Sequence, residues 1–294
     1  MKTLFDRISE IRVLRNEPLS KYTSFHIGGN ADYVIKVYSQ QALKNVLRII
    51  RKQHMKYFVI GAGTNILVHN SGFRGVVIKL VGSFKDMHKR GDYFYCGSGL
   101  LLDAFLEKAH RRGYGGAEFL AGIPGTVGGG IKGNAGAFGY SLADVIENIT
   151  IMTENGQERN LDRQKVGFHY RGSRIKNGSI IIGAQFKLLK RKKSDIRAAI
   201  ERNVKRRWRR QPTGYSAGSF FKNPPGYSAG RLIEECGLKG LRIGDAEVSR
   251  KHGNFIVNRG HATASDVLRL ARKIKKIVRE KTGIRLKEEV KILK

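Results

Sequence analysis

The segment Gly113–Gly139, GYGGAEFLAGIPGTVGGGIKGNAGAFG, constrains this chain more than any other stretch. Glycines recur through it, yet Leu120, Ile123, Val127, Ile131 and Phe138 are interleaved at intervals that would pack. A flexible tether is Gly/Ser-rich and lacks large apolar residues, so this stretch belongs to a folded core. Residues without a Cβ let the backbone approach a partner closely and leave N–H groups free to bond it. A shorter segment has the same character: Gly61-Ala62-Gly63-Thr64-Asn65 directly follows the strand-like KYFVI. Ile66 stands where a GxGxxG fingerprint has its third glycine, so an ordinary Rossmann dinucleotide site has little support. One such segment alone reads as a tight turn. Two of them, each carrying an asparagine (Asn65 and Asn134), point to a bulky ligand with a diphosphate held between two lobes.

With 294 residues the chain is long enough for about two domains, each with its own core. Hydrophobic residues at 40% and aromatics at 9% describe a globular chain, despite 56 Lys+Arg against 24 Asp+Glu and a net charge of +32. A surplus of that size draws phosphates, nucleic acids or acidic lipids to the surface, so nucleic acid has to be weighed as a partner. Cys96 and Cys236 lack the paired spacing of a zinc ribbon or redox motif and read as buried thiols in a reducing compartment. The histidines show no metal-ligand spacing, and no metal site is expected. The N-terminal MKTLFDRISEIRVLRN breaks its apolar residues with charges, and nowhere do apolar residues run long enough to span a bilayer. A cytoplasmic protein without membrane insertion is the expectation.

Apolar periodicity predicts helices over 41–52, over Leu101–Arg112 with Gly113 closing it, over Asp195–Arg210, and over Ser265–Thr282 with Ser265 as N-cap and Gly283 beyond its end. Strands are predicted at Lys56–Ile60, Gly75–Val81, 149–153, 179–189 and Val290–Leu293, with a turn at Glu154-Asn155-Gly156. Within the third helix Ile196, Ile200, Val204 and Trp208 recur every fourth residue, so Trp208 reads as a core residue rather than a base-stacking platform. The run Lys190–Lys193 marks a boundary, and no internal repeat is present.

Several ordered motifs carry a family resemblance. They are YTSFHIGG (22–29), GAGTNIL (61–67), AGIPGTVGGGIKGNAGAFG (121–139), YRGS (170–173), SAGSFFKNP (216–224), GLKGLRIGDA (237–246), HGNFIVN (252–258) and ATASDV (262–267). Together they span nearly the whole chain, which resembles the bacterial UDP-N-acetylenolpyruvoylglucosamine reductases. The resemblance implies an α+β protein: a two-lobed FAD-binding fold of the vanillyl-alcohol-oxidase type, with lobes at 1–80 and 81–190, and a C-terminal α+β substrate domain at 191–294. It also implies non-covalent FAD, lined by Gly61, Ala62, Gly63, Thr64 and Asn65 and by Gly125, Thr126, Gly128, Gly129, Asn134 and Gly136. NADPH is the implied co-substrate and a UDP-sugar the other ligand; the oligomeric state stays open, with a monomer as the expectation.

The family's reaction passes hydride from NADPH through FAD to an enolpyruvyl group, a conjugate reduction in which charge collects on the substrate carboxylate and a proton goes to the adjacent carbon. Such a site needs a cation, an acid and a proton donor. By resemblance these are Arg171 in YRGS, Glu289 in KEEV and Ser219 in SAGSFF. Read without the family, Ser219 is a turn serine and Arg171 one surface arginine among many. Glu288 and Glu289 are adjacent, and alternation along a strand sends them to opposite faces; Glu289 is chosen because it precedes the family's Val. Lys222, Asn223, Tyr170 and Arg210 are the expected substrate-binding residues, although a solvated role suits Arg210 equally. Lys132-Gly133 departs from the apolar-Met pair usual in the family. The short spacing between Arg171 and Ser219 resembles the class lacking an extra tyrosine-bearing loop over the substrate.

Two other readings compete. One keeps the FAD fold but makes the chain an oxidase of small hydroxylated substrates. The other makes it a basic nucleic-acid-binding protein, for which no zinc finger, basic zipper or RNP motif is present, and no specific nucleic acid is expected. The positive charge is densest after Lys190, where it suits the entry of polyanionic NADPH and UDP-sugar.

Overall fold

The computed structural model describes residues 4–294. The chain forms two compact units. One comprises the chain up to Arg15, Tyr33–Ala62 and Gly75–Arg206; the other comprises Asn16–Asp32, Gly63–Arg74 and Arg207–Lys294.

The first unit holds the larger part of a four-stranded sheet and the whole of a five-stranded one, besides two small two-stranded pairs. In one, the strand order is Ile11–Pro18, Asn30–Val37, Phe73–Leu80, Tyr57–Val59, with Tyr57 lying opposite Val76 in a parallel pair. Helix α1 (Gln40–Lys52) begins where the Ser39 hydroxyl accepts from the Ala42 N–H at 3.3 Å. Its stripe of Leu43, Val46, Leu47 and Ile50 is buried with Ile35, Val37, Val76 and Ile78. Each such side chain contributes about 1.5–3 kcal/mol by leaving water. The second sheet is antiparallel, in the order Glu158–Asp162, Ile146–Met152, Ile180–Lys187, Tyr93–Gly97, Met87–Arg90. Gly156, with φ 77°, makes the turn between its first two strands.

Helices α2 (Leu102–Arg111) and α3 (Val127–Lys132) share one core with the second sheet, through Leu102, Phe105, Val127 and Ile131 against Phe94, Ile149, Ala184 and Phe186. A single helical turn, α4 (Arg163–Val166), adds Val166 to the same core. Helix α5 runs over Lys193–Arg210. Ile196 is buried, and Ile200 and Val204 pack against the core of this unit. Trp208 does not follow them: it is 74% exposed, so its reading as a core residue is corrected. The apolar spacing continues to Trp208, but the packed surface ends at Val204.

The second unit contains α6 (Ala229–Glu235), α7 (Ala264–Thr282) and a small antiparallel sheet of Arg242–Ile243, Ala246–Val248 and Ile256–Asn258. The N-cap of α7 is Thr263, not Ser265. Thr263 and Asp266 bond each other's backbone N–H groups in a capping box, which satisfies two donors where Ser265 could satisfy one. Gly283, at φ 73°, closes the helix as expected. The final strand, Lys291–Leu293, docks in parallel beside Ile66–Val68, and both are in this unit. No helix among the described residues is long and apolar enough to cross a membrane.

Candidate active site

In the first unit the two glycine segments meet. A Cβ on Gly61 would collide with the Thr126 hydroxyl, so the close approach demands glycine. That hydroxyl also caps α3 by accepting from the Gly129 N–H at 3.3 Å. The three glycines of the GGG run have different duties. Gly128 gives its N–H to the Ser98 carbonyl at 2.8 Å. A side chain there would press on Ser98, and one at Gly130 would press on Leu142. Gly129 alone has no neighbour closer than 3.4 Å to its Cβ position. Close helix–core packing therefore accounts for two of the three, and an open backbone face for one.

Lys79 is absent from the residues read from sequence. Its ammonium donates to the Gly61 carbonyl at 2.7 Å, beside this junction. Burial, and then repulsion from Lys85 and Lys36, hold its pKa below the usual lysine range. The signal was present: a single lysine inside the apolar strand GVVIKLV. A cation next to backbone stripped of side chains suits an anionic phosphate.

Arg171 sits in the same unit, at the tip of a tight reversal in which His169 and Gly172 exchange backbone hydrogen bonds at 3.0 and 3.1 Å. Its φ of 54° lies in the left-handed region, uncommon for any residue but glycine. The guanidinium donates to the Gly136 carbonyl at 3.2 Å and lies 5.7 Å from the centre of the half-exposed Tyr170 ring. Asn134 links the glycine-rich segment to this reversal: its amide accepts from the Ala143 N–H and donates to the His169 carbonyl. Lys132, one of the departures from the family pattern, serves the same junction, its ammonium bonding the Ile175 carbonyl at 2.7 Å.

The second unit brings Ser219 and Glu289 onto neighbouring strands. The stretch Ser219–Lys222 lies between two others, paired through Ser219 with Phe255 on one side and through Phe221 with Glu288 on the other. The Glu289 N–H donates to the Phe220 carbonyl at 2.8 Å, and the Lys222 N–H to the Lys287 carbonyl at 2.8 Å. Asn254, also absent from the residues read from sequence, holds this arrangement. It is 4% exposed, and its side chain accepts from the Phe221 N–H at 2.9 Å and donates to the Phe221 carbonyl at 2.8 Å. No sequence pattern short of the family motif HGNFIVN marks it.

The remaining candidates separate clearly. Glu288 is ion-paired with Lys275 of α7 at 2.6 Å, so its carboxylate is committed elsewhere. Gly63 takes φ 67° and lies so close to the Tyr22 carbonyl that no Cβ fits. Asn65 reaches the Glu289 strand, accepting from the Lys291 N–H at 3.1 Å. Asn223 accepts from the Ala229 N–H at 3.0 Å, at the start of α6. Arg210 is exposed at the end of α5.

Comparison with known proteins agrees with this geometry. Residues 31–162 match the FAD binding domain family, and residues 211–293 match the C-terminal domain of UDP-N-acetylenolpyruvoylglucosamine reductase. UDP-N-acetylenolpyruvoylglucosamine reductase 2 of Symbiobacterium thermophilum is 42% identical over 96% of this chain and 92% of its own length. The reductase of Geobacter metallireducens is 41% identical over 96% of this chain and 94% of its own. The crystal structure of the Thermus caldophilus reductase superposes with a TM-score of 0.84 at 38% identity, covering 97% of this chain and 99% of that one. A berberine bridge enzyme variant, at 20% identity and a TM-score of 0.50 over 64% of this chain and 43% of its own, shares the fold alone. The architecture is thus the expected two-lobed FAD-binding fold with a C-terminal substrate domain, and the chain belongs to the UDP-N-acetylenolpyruvoylglucosamine reductase family.

Proposed function

We propose that this protein reduces the enolpyruvyl group of UDP-N-acetylglucosamine enolpyruvate to UDP-N-acetylmuramate, a peptidoglycan precursor, with NADPH as reductant and non-covalent FAD between them, acting in the cytoplasm as a monomer. Residues 1–80 and 81–190 are the FAD-binding lobes, and 191–294 bind the substrate. The observation that carries the reading is the pairing of the Ser219 and Glu289 strands, which brings a hydroxyl-bearing and a carboxyl-bearing residue onto one framework.

When bound, FAD supplies the hydride that NADPH has given it. The backbone at Gly61–Asn65 and Gly125–Gly136 holds it, with Gly129 offering the open face and Lys79 a positive charge near the diphosphate. Arg171, whose guanidinium is held by the Gly136 carbonyl and lies over the Tyr170 ring, pairs with the substrate carboxylate. Glu289, on the strand beside Ser219, serves as the acid, its protonated carboxyl donating a hydrogen bond to the substrate carboxylate where charge collects as hydride arrives. The Ser219 Oγ delivers its proton to the adjacent carbon, helped by the positive charge of Lys222. Tyr170, Asn223 and Arg210 bind the rest of the UDP-sugar.

Anaerobic stopped-flow measurement of the two half-reactions tests this assignment. Ser219→Ala leaves flavin reduction by NADPH intact and slows flavin reoxidation by the enolpyruvyl UDP-sugar by on the order of 10²–10⁴-fold. Equal loss of both half-reactions would make Ser219 structural. Failure of the wild-type protein to take up FAD would remove the flavoenzyme reading altogether.

A further inference from the structure

Within the last turn of α5 the reductase reading uses Arg210 and leaves Trp208 without a role. Trp208 is the most exposed of the large apolar side chains among the described residues, at 74%. Its ring stands among Arg207, Arg209 and Arg210 in sequence. Lys251 joins them, its ammonium donating to the Trp208 carbonyl at 2.5 Å and so holding the end of the helix in place. Arg209 has no carboxylate within ion-pair distance among the described residues. Arg206, by contrast, is already laid over the Phe138 ring at 4.6 Å.

We propose that this end of α5 is a docking surface for single-stranded nucleic acid, with Trp208 as the platform on which a base stacks and Arg209 and Lys251 on the phosphates. The proposal goes beyond the reductase activity and does not depend on it. An exposed aromatic ring on a rigid element, surrounded by cations, is the arrangement that binds single strands without reading sequence. Arginine suits it twice over, because the guanidinium forks onto phosphate and also stacks on bases. An anionic bilayer fits less well. A helix lying on a membrane buries an apolar face, and the apolar side chains of α5, Ile196, Ile200 and Val204, already pack inward. The overall charge of +32 supplies the long-range attraction but cannot by itself place the strand; Trp208 can.

Trp208 is the only tryptophan of the chain, so tryptophan emission, excited beyond tyrosine absorption, reports on this surface alone. The FAD-loaded protein is titrated against a labelled oligouridylate of about ten nucleotides, following both label anisotropy and tryptophan emission. The expected result is quenching with the same midpoint as the anisotropy change, and an affinity that falls as salt rises. Trp208→Ala weakens binding about tenfold, Trp208→Phe retains most of it, and Arg209→Glu weakens it further, while reductase turnover of each variant stays at the wild-type level. Binding untouched by Trp208→Ala would overturn the proposal. So would equal affinity for inorganic polyphosphate, which has no bases, or displacement of the oligonucleotide by NADPH or UDP-sugar. A blue shift of Trp208 emission on phosphatidylglycerol vesicles, without quenching by the oligonucleotide, would assign the surface to membranes instead.

Discussion

At the scale of single residues, two adjacent carboxylates offer a test of the proposed assignment. Glu288 and Glu289 have the same chemistry and follow one another, and nothing local favours either. Lys275, thirteen positions back on α7, holds Glu288 through its ammonium, and the proposed catalytic role goes to Glu289. Glu288→Gln therefore leaves the reoxidation half-reaction within about twofold of wild type and costs no more than about 1 kcal/mol of stability, since the pair is about one-third exposed. Glu289→Gln slows the same half-reaction by on the order of 10²-fold or more. Stopped-flow traces of both variants decide it, and a larger loss for Glu288→Gln would reverse the assignment. The glycines show the same limit. Gly61, Gly128, Gly129 and Gly130 look alike in a sequence, yet close packing requires Gly61, Gly128 and Gly130, and only at Gly129 would a Cβ meet nothing closer than 3.4 Å. A residue type records that a side chain is unwelcome without recording what excludes it.

At the scale of elements, helices and strands with a regular apolar stripe are legible because burial follows their own period. The stripe of α7 (Val267, Ala271, Ile274, Val278) is buried as its spacing predicts. Trp208 shows where that inference ends: a period states which face an apolar residue is on, not how far the packed surface extends beneath it. The framework of Ser219 is less legible still. Its stretch is held by short bridges to residues 255 and 288 and by one buried amide, too little regular structure to leave a period. Asn254 is the vulnerable point. Asn254→Ala strands the buried N–H and carbonyl of Phe221, at about 1–3 kcal/mol for each group, so a loss of about 2–6 kcal/mol is expected. The urea midpoint measures that loss. Because the same amide fixes the strand that bears Ser219, reoxidation by substrate slows more than flavin reduction by NADPH. A midpoint unchanged from wild type would show that backbone pairing alone holds the strand.

At the scale of the whole molecule, a net charge of +32 persists although many of the acidic residues are tied into ion pairs, such as Arg259 with Glu247 and Arg269 with Asp266. These pairs keep their carboxylates ionised: hydrogen bonds from Arg259 to Glu247, and from Thr263 and Arg269 to Asp266, lower both carboxyl pKa values. The surplus cations therefore remain uncompensated at neutral pH, and the field they make acts on anything approaching from solution. NADPH and the UDP-sugar are both polyanions, so the field raises their encounter rates. Once they are bound, short-range contacts take over, and distant cations contribute little across a screening length of about 10 Å at 0.1 M salt. The two regimes make separable demands. Raising salt from about 0.01 to 0.3 M, which shortens the screening length severalfold, lowers kcat/KM for both NADPH and the UDP-sugar by about tenfold or more, while kcat at saturation changes by less than twofold. A kcat that falls in parallel with kcat/KM would mean that the distant charge stabilises the reacting complex itself. A kcat/KM insensitive to salt would mean that the field does not steer these ligands, and that the surplus serves other partners, among them the strand proposed at Trp208.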